Sequence, residues 1–428
     1  MSLIISITFV ILLVLIFMKV PIFISLLTAS AVYFLINPAV NAQILAQKFL
    51  TGCDNVGLLA IPFFIAAGVF MNYSTVTTRI MDFCSVLTGR MVGGLAQVNV
   101  LLSTLMGGLS GSNIADAAMD AKMLVPEMEK RGYSKEFSSV VSAASSLITP
   151  MIPPGIAMII YGTIAGQSIG RLFISGFGIG IGLCLTMMVL VSLISKRRNY
   201  ERMRTTRVTA KEFFTALKSA ALPLMLPIVI IGGIRIGVFT AIEAGAVMVL
   251  IALILGIYYK ALNFKIIVKG LVETVIATAT VMVIVSSATV FAWILTKERI
   301  PQILAEMMVS ITDNKYVFLM IVNIFLLVVG MFVEGSAAMI VLVPLLAPIA
   351  AKFGIDPVHF AMVVIFNLSI GTMTPPVGTV MFVVCGITGC PTAKFIKESI
   401  PFLVLLLAGL LAITYIPVLS TGLVDLVY

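Results

Sequence analysis

Charged residues are scarce in this chain. Asp, Glu, Lys and Arg make up 11% of the 428 residues, and 61% of the residues are hydrophobic. In a soluble domain about a quarter of the residues are charged. The chain therefore has too little polar surface to cover itself in water, which excludes an ordinary soluble domain. Its long apolar runs predict an all-α, polytopic membrane protein, because helices satisfy their backbone hydrogen bonds internally.

The residues that build most metal sites, disulfide frameworks and nucleotide sites are also few. The single histidine, His359, cannot form a multi-histidine metal site. The five cysteines include no CxxC pair and stand mostly in apolar stretches, so we expect small core residues. No GxxxxGK[ST] segment occurs, which excludes ATP hydrolysis at a Walker site. The net charge of +9 comes from basic residues in short loops between apolar runs, which is typical of membrane topology and not of nucleic-acid binding.

One pattern that the sequence does contain occurs twice. The break Ser110-Gly111-Ser112 interrupts one apolar run, and Pro153-Pro154-Gly155 interrupts a later one. The second copy has Glu334-Gly335-Ser336 and then Pro375-Pro376, which lies 222 residues after the first double proline. Such breaks free backbone groups that, in hydrocarbon, must face protein, ions, water or substrate. Paired broken helices near the membrane midplane indicate the binding site of a secondary transporter.

The duplication predicts two halves with the same elements. The apolar runs beside Ser110-Gly111-Ser112 are each too short to cross a hydrocarbon core of about 30 Å at about 1.5 Å per residue. They therefore predict a re-entrant hairpin that enters and leaves on one face. The predicted bounds are a first repeat at 1–195 with a hairpin at 91–130 and a split helix at 136–166, a linker at 196–221, and a second repeat at 222–428 with a hairpin at 316–350 and a split helix at 359–389.

The basic residues predict the orientation in the membrane. The linker 196–221 has eight Lys and Arg but two acidic residues, so the positive-inside rule places it in the cytoplasm. Each half is predicted to have five crossings and one hairpin that does not cross. An odd number of crossings inverts the second half, and both chain ends then lie outside the cytoplasm. Within the second half, we expect an interfacial amphipathic helix at 260–273 and a separate span at 274–296.

The breaks carry the chemistry that we expect of a transport site. Unwound carbonyls and hydroxyls suit a hard cation such as sodium, and helix N-termini suit a carboxylate. Two oxygen sets are predicted: Ser110, Ser112 and Asn113 with Thr149, and Ser336 with Thr372 and Thr374. The alternative is that these small residues only permit close helix packing. Two related breaks, each opposite a broken helix, favour a site.

Three carboxylates fall at membrane depth. Glu334 is at the tip of the second hairpin, where burial of a charge is expensive and a function is the default interpretation. Neither broken element of that half offers a lysine or arginine, so we expect Glu334 to be ionised and to bind a cation or accept from substrate hydroxyls. Asp116 and Asp120 are spaced i, i+4 and share a helix face. They form either part of a site or an ion pair near the cytoplasmic end.

A competing interpretation is an enzyme. Gly108-Leu109-Ser110-Gly111 matches the GxSG segment of rhomboid-type intramembrane serine proteases. Such a serine needs a histidine base within hydrogen-bond reach. His359 is predicted near the outer end of the second split helix, so the sequence favours a transporter that is not an enzyme.

The chain resembles the large membrane subunit of the tripartite ATP-independent periplasmic (TRAP) transporters over essentially its whole length. The resembling segments are Leu59-Ala60-Ile61-Pro62-Phe63-Phe64, Ser110-Gly111-Ser112, Ile152-Pro153-Pro154-Gly155, Glu243-Ala244-Gly245-Ala246 and Thr374-Pro375-Pro376-Val377-Gly378. The resemblance implies an elevator-type transporter in the bacterial inner membrane. It implies sodium-driven uptake of an organic acid such as a C4-dicarboxylate, sialic acid or a sugar acid. It also implies two partners, namely a small membrane subunit of about four helices and a periplasmic substrate-binding protein.

The resemblance also implies site residues, because sodium ligands of the family cluster at the hairpin tips and split helices. Here those positions are Ser110, Ser112, Thr149 and Pro150 in the first half, and Glu334, Gly335, Thr372, Met373 and Thr374 in the second. The substrate is expected at the hairpin tips, with Ser110, Ser112, Asn113, Glu334 and Ser336. A stand-alone divalent-anion/sodium symporter shares this logic and stays open as an alternative.

Overall fold

The computed structural model describes residues 3–18, 20–204 and 206–428, which form helices and connecting segments. The helices of the first half are α1 (Leu3–Phe17), α2 (Ile22–Ile36), α3 (Gln43–Thr51), α4 (Ala60–Tyr73), α5 (Val76–Thr88), α6 (Gly94–Ser110), α7 (Asn113–Met123), α8 (Val125–Lys130), α9 (Lys135–Ser146), α10 (Ile156–Ala165) and α11 (Ile169–Arg197). Those of the second half are α12 (Ala210–Arg235), α13 (Ala241–Tyr258), α14 (Phe264–Lys297), α15 (Ile300–Ile311), α16 (Lys315–Phe332), α17 (Gly335–Lys352), α18 (Pro357–Gly371), α19 (Thr379–Thr388), α20 (Thr392–Tyr415) and α21 (Val418–Val427).

The helices suit a membrane in length and composition. Across the described ranges, nine helical segments are long and apolar enough to cross a bilayer. The 29 residues of α11 extend about 44 Å at about 1.5 Å per residue, which exceeds a hydrocarbon core of about 30 Å. The 11 residues of α7 are far too few to cross. The prediction of an all-α fold is confirmed.

Two pairs of consecutive helices are separated by short connections at the predicted breaks. In the first pair, α6 ends at Ser110 and α7 begins at Asn113, with Gly111 at a φ of +63°. A Cβ on Gly111 would lie 2.9 Å from the carbonyl oxygen of Pro154, so glycine is needed there both for the backbone conformation and for the space. In the second pair, α16 ends at Phe332 and α17 begins at Gly335.

Each helix pair packs closely on a broken helix. The first break lies between α9 and α10, and the second lies between α18 and α19. A Cβ on Gly107 of α6 would lie 3.0 Å from the Cα of Thr149, and a Cβ on Gly330 of α16 would lie 3.1 Å from the Cα of Gly371. The backbones therefore meet at corresponding positions of the two halves, which fixes each hairpin against its own broken helix.

Some helix bounds differ from the sequence prediction. The predicted linker 196–221 overlaps α12, which begins at Ala210 with a capping box between Thr209 and Glu212. The predicted helices 260–273 and 274–296 are one continuous helix, α14, of 34 residues. Polar residues in the first turns of α14 do not end it, because charge at the membrane interface does not interrupt backbone hydrogen bonds. The short helices α15 and α21 were not predicted.

Candidate functional site

A cavity of about 320 Å³ lies where the two hairpin tips meet α4 and α14. Its volume is at the lower end of the range for small-molecule pockets, about 300–1,000 Å³. Most of its wall is apolar, and α4 contributes Gly68 at a point where a Cβ would lie 3.2 Å from the Cα of Ser110. The polar side chains that line it are Asn72, Ser110, Ser112, Asn113, Thr280, Glu334 and Ser336.

The cavity brings together most of the hairpin-tip residues that the sequence singled out. All five predicted substrate residues line it, and so does Pro150. The other predicted sodium ligands, Thr149, Gly335, Thr372, Met373 and Thr374, are not among its lining residues. Thr149, Thr372 and Met373 are buried in the protein. The arrangement therefore separates an open chamber from buried oxygen groups beside it.

Asp116 connects the tip of the first hairpin to the first broken helix. Ser110 Oγ donates to its Oδ1 over 2.5 Å, and Thr149 Oγ1 donates to its Oδ2 over 2.6 Å. The carboxylate is 1% exposed. Each hydroxyl oxygen keeps lone pairs after it donates its proton, so both can still bind a cation. Asp116 thereby sets the direction of two oxygen groups that belong to different elements.

The ion-pair alternative for Asp116 and Asp120 is wrong. Within the described ranges, neither carboxylate has a lysine or arginine partner. Asp120 lies one turn after Asp116, is fully buried, and has Ser103 Oγ 2.5 Å from its Oδ2. Two buried carboxylates without cations are costly in a membrane protein, so a structural ion pair does not explain them.

Glu334 is stabilised by a group that the sequence argument overlooked. Its Oε1 accepts from Ser336 N and its Oε2 accepts from Ala337 N, each over 3.0 Å. Glu334 is therefore the N-cap of α17, and the N-terminal end of the helix dipole favours its charge. The expectation that an ion or a substrate hydroxyl compensates Glu334 did not include these backbone amides. Its binding role stays a prediction, and its side chain is half-buried at the cavity wall.

One hydrogen bond joins the first hairpin to the second broken helix. Asn113 Nδ2 donates to Thr372 Oγ1 over 3.2 Å, and Thr372 Oγ1 donates to Ser369 O over 2.6 Å. Thr374 Oγ1 donates to Ile370 O over 2.8 Å. Residues 372–378 lie between α18 and α19, so carbonyls of this segment are outside a helical ladder. The segment offers hard oxygen groups next to a side chain of the opposite half.

Two polar cavity residues, Asn72 on α4 and Thr280 on α14, were missed. Asn72 lies in the last turn of the apolar helix α4, and a polar amide inside a membrane segment is itself a signal of function. Thr280 gives a weaker signal, because its hydroxyl donates to Ile276 O within its own helix over 2.9 Å. These residues form the wall opposite the hairpin tips.

The position of the histidine contradicts the protease interpretation. His359 Nδ1 lies 2.7 Å from Ser420 Oγ, whereas Ser110 Oγ donates to Asp116. The GxSG serine is thus held by a carboxylate at the hairpin tip and does not pair with the histidine. A serine nucleophile without a histidine base is not activated in this way.

These helices, hairpins and broken elements define a multi-pass membrane protein with a transporter fold. The crystal structure of the Alcanivorax borkumensis YdaH transporter has the same fold, with a TM-score of 0.62 and 16% identity over 92% of this chain and 96% of that chain. The family "Tripartite ATP-independent periplasmic transporter, DctM component" matches residues 9–419. The chain belongs to this family, as its motifs predicted.

Two relatives show how closely the chain follows the family. The sialic acid TRAP transporter large permease protein SiaM of Vibrio cholerae is 38% identical over 94% of each chain. The C4-dicarboxylate TRAP transporter large permease protein DctM of Pseudomonas aeruginosa is 35% identical over 90% of each chain. The chain is therefore a transporter component and not an enzyme.

Proposed function

We propose that this chain is the membrane component of a sodium-coupled uptake system for an organic acid. The observation that carries the proposal is the cavity between the two hairpin tips, with helix N-termini and oxygen groups at its wall. We propose that a periplasmic binding protein delivers the substrate and that a small membrane subunit completes the complex. Family membership supports both partners and favours this system over a stand-alone symporter.

The two helix N-termini at the cavity suggest how the substrate is oriented. Glu334 occupies the first amides of α17 with two bonds of 3.0 Å, so that end is already negative. Ser112 Oγ caps α7 more loosely, at 3.5 Å from Ala115 N. An anionic group is therefore better placed at the amides of α7, beside Ser112 and Asn113. The Asp116 carboxylate in the first turn of α7 does not occupy these amides, because it is held by the hydroxyls of Ser110 and Thr149. The opposite end of the substrate would face Glu334.

This orientation favours a hydroxylated acid. Substrate hydroxyls can donate to Glu334, whereas a second carboxylate there would be repelled by it. A sialic acid or sugar acid fits this requirement better than a C4-dicarboxylate. Asn72 and Thr280 on the opposite wall can bind further polar groups of such a substrate.

We propose two sodium positions beside the cavity. The first uses Ser110, Ser112 and Thr149 with Pro150 and the unwound carbonyls after it, and Asp116 positions the two hydroxyls that it accepts from. The second uses Glu334, Gly335, Thr372, Met373 and Thr374 at the other tip. Hydroxyl, carbonyl and carboxylate oxygens are the ligands that hard cations prefer. Sodium is cargo in this scheme.

The proposed motion is an elevator movement of the hairpins and broken helices along α4 and α14. The wall that they face is mostly apolar, with Gly68 and Ala277 as its small residues. An apolar wall offers few polar contacts that the moving tips would have to break. The movement would carry the loaded cavity from the outer face to the cytoplasmic face.

Reconstitution in proteoliposomes tests this function. The purified chain is incorporated with and without a small membrane subunit and a binding protein, and uptake is measured for sialic acid, sugar acids and C4-dicarboxylates. We expect uptake of a hydroxylated acid that depends on both partners. Uptake of C4-dicarboxylates but of no hydroxylated acid would contradict the proposed orientation. Full uptake by the chain without either partner would favour the stand-alone symporter.

A further inference from the structure

Asp120 belongs to a second polar cluster, which is separate from the cavity. It lies on α7 and does not line the cavity, and its side chain is fully buried. Ser103 on α6 contacts its Oδ2, and its Oδ1 has no hydrogen-bond partner within the described ranges. A buried carboxylate oxygen without a donor needs an explanation, because burial of an uncompensated charge is expensive.

The cluster continues from Ser103 into α9. Ser103 Oγ lies 2.5 Å from Asp120 Oδ2 and 2.8 Å from Ser145 Oγ. Ser145 Oγ is in turn 3.1 Å from Asn99 Oδ1. All four side chains are 0% exposed.

The last links lead along α9 towards its first turn. Asn99 Nδ2 donates to Ser142 Oγ over 2.7 Å, and Ser142 Oγ donates to Ser138 O over 3.2 Å. Ser138 lies one turn after Ser134, the N-cap of α9. On the predicted topology this end of α9 is the cytoplasmic one.

Counting protons along this chain favours a neutral Asp120 over an ionised one. The hydroxyl of Ser103 has one proton and can donate to only one of its two neighbours. Suppose that Asp120 is ionised and that Ser103 donates to it. If Ser145 then donates to Ser103, Asn99 Oδ1 has no donor. If Ser145 instead donates to Asn99 Oδ1, the 2.8 Å contact between the Ser103 and Ser145 oxygens has no proton. With Asn99 Oδ1 facing Ser145, as in this structure, either choice leaves a buried polar contact unsatisfied.

A proton on Asp120 removes the conflict. Asp120 then donates to Ser103, Ser103 donates to Ser145, and Ser145 donates to Asn99. Asn99 and Ser142 complete the chain to the carbonyl of Ser138. The remaining oxygen, Oδ1, becomes an uncharged carbonyl oxygen, which tolerates the lack of a donor better than a carboxylate oxygen does.

Among the residues that the structure describes, the groups around Asp120 offer no cation in place of the proton. The titratable groups that interact electrostatically with Asp120 are Asp116 on the same helix and Cys84 on α5. The helix α6 and the segment Thr149–Met151 contain no ionisable side chain. The ionisable residues of the other elements packed on α7 are Glu127, Glu129 and Lys130 on α8, Lys135 and Glu136 on α9, and Cys385 on α19. Lys130 and Lys135 pair with Glu127 and Glu129, and Lys122 of α7 is exposed.

We propose that Asp120 binds a proton in this conformation and forms a proton site distinct from the sodium positions. Asp116 provides the contrast on the same helix, because both of its oxygens accept from hydroxyls and it needs no proton. A protonated Asp120 also lets α7 move through the membrane without the charge of this residue. When Ser103 accepts a hydrogen bond from Asp120, the carboxyl group is protonated and neutral. When Ser103 donates to Asp120, the carboxylate is charged.

Infrared difference spectroscopy of the purified chain tests the proposal without any partner or substrate. At neutral pH, the difference between the wild type and Asp120→Asn should contain the carbonyl stretch of a protonated carboxylic acid, shifted to lower frequency in D₂O. The matched variant Asp116→Asn lies one turn away and should remove carboxylate bands instead. An Asp120→Asn difference that shows carboxylate bands and no protonated-acid band would overturn the proposal.

A second variant tests the hydrogen bond itself. Ser103→Ala removes the acceptor of the Asp120 proton, so the carbonyl band should move to higher frequency, as expected for a more weakly bonded acid. Each variant is first checked for a wild-type elution volume and thermal unfolding transition. If Asp120→Asn does not fold, the frequency shift in Ser103→Ala tests the proposal by itself. A protonated-acid carbonyl band at the same frequency in Ser103→Ala and wild type would refute its assignment to Asp120.

Discussion

Among single residues, Asp116 on α7 connects the tip of α6 to the first broken helix. It holds Ser110 of the hairpin tip and Thr149 of the broken helix at 2.5 and 2.6 Å. The Ser110 contact spans six residues and could be expected from the sequence. The Thr149 contact spans 33 residues and depends on how the broken helix packs, which no local pattern encodes.

Replacement of Asp116 should weaken sodium binding. Asp116→Asn keeps the size but offers an amide that cannot accept from both hydroxyls, so one of them loses its orientation. A hydrogen bond to a charged group contributes about 1.5–3 kcal/mol, and we expect apparent sodium affinity to fall about ten- to hundredfold. The sodium dependence of uptake in proteoliposomes measures this.

Ser146→Ala is the matched control for Asp116→Asn. Ser146 is buried on α9, and its hydroxyl donates to Ala143 O within its own helix. Its removal should leave sodium affinity unchanged. Equal sodium affinity in wild type and Asp116→Asn would show that Asp116 has a packing role only.

Glu334 has two roles that different measurements separate. Glu334→Gln weakens the cap of α17, and loss of an N-cap costs about 0.5–2 kcal/mol of stability. If Glu334 also binds sodium or a substrate hydroxyl, the apparent sodium affinity or the substrate half-saturation constant should worsen as well. Glu334→Asp keeps the charge and a capping group and should lose less of both. A lower unfolding temperature with unchanged transport constants would reduce Glu334 to a cap.

At the level of helices, the positions of the breaks could be predicted from the sequence, but which helices pack against each other could not. Gly111 and the double prolines disrupt helices locally, so their positions are visible in the sequence. The continuous α14 was missed because polar residues near its start were taken as an end, although nothing there breaks a helix. The capping role of Glu334 was missed because a search for charged partners overlooks backbone amides.

The contact between α16 and α18 allows a sharp test of hairpin packing. A Cβ on Gly371 would lie 2.6 Å from the backbone of Gly330, so Gly371→Ala must push the two elements apart. Overpacking typically costs about 1–3 kcal/mol, and we expect a lower unfolding temperature and reduced uptake. Gly386→Ala on α19 is the control, because a Cβ there meets nothing within 4 Å. A loss of stability in the control as large as in Gly371→Ala would show that the close contact is not the cause.

For the whole molecule, the predicted orientation in the membrane can be tested by finding which positions a thiol reagent reaches from each side. Single cysteines are placed at the exposed positions Arg202, Lys265 and Asp313 in a cysteine-free background. An impermeant thiol reagent should label the first two from the cytoplasm only and the third from outside only. Labelling of Arg202→Cys and Asp313→Cys from the same side would contradict the inverted repeat, which stays a prediction.

Energy coupling is the central claim. The two breaks supply oxygen groups for a hard cation, and the sequence has no Walker segment. The decisive measurement is uptake of the organic acid by the reconstituted complex, with a sodium gradient and no ATP, compared with sodium-free buffer under a proton gradient. We predict uptake in the first condition and none in the second. Undiminished uptake in sodium-free buffer would contradict sodium coupling.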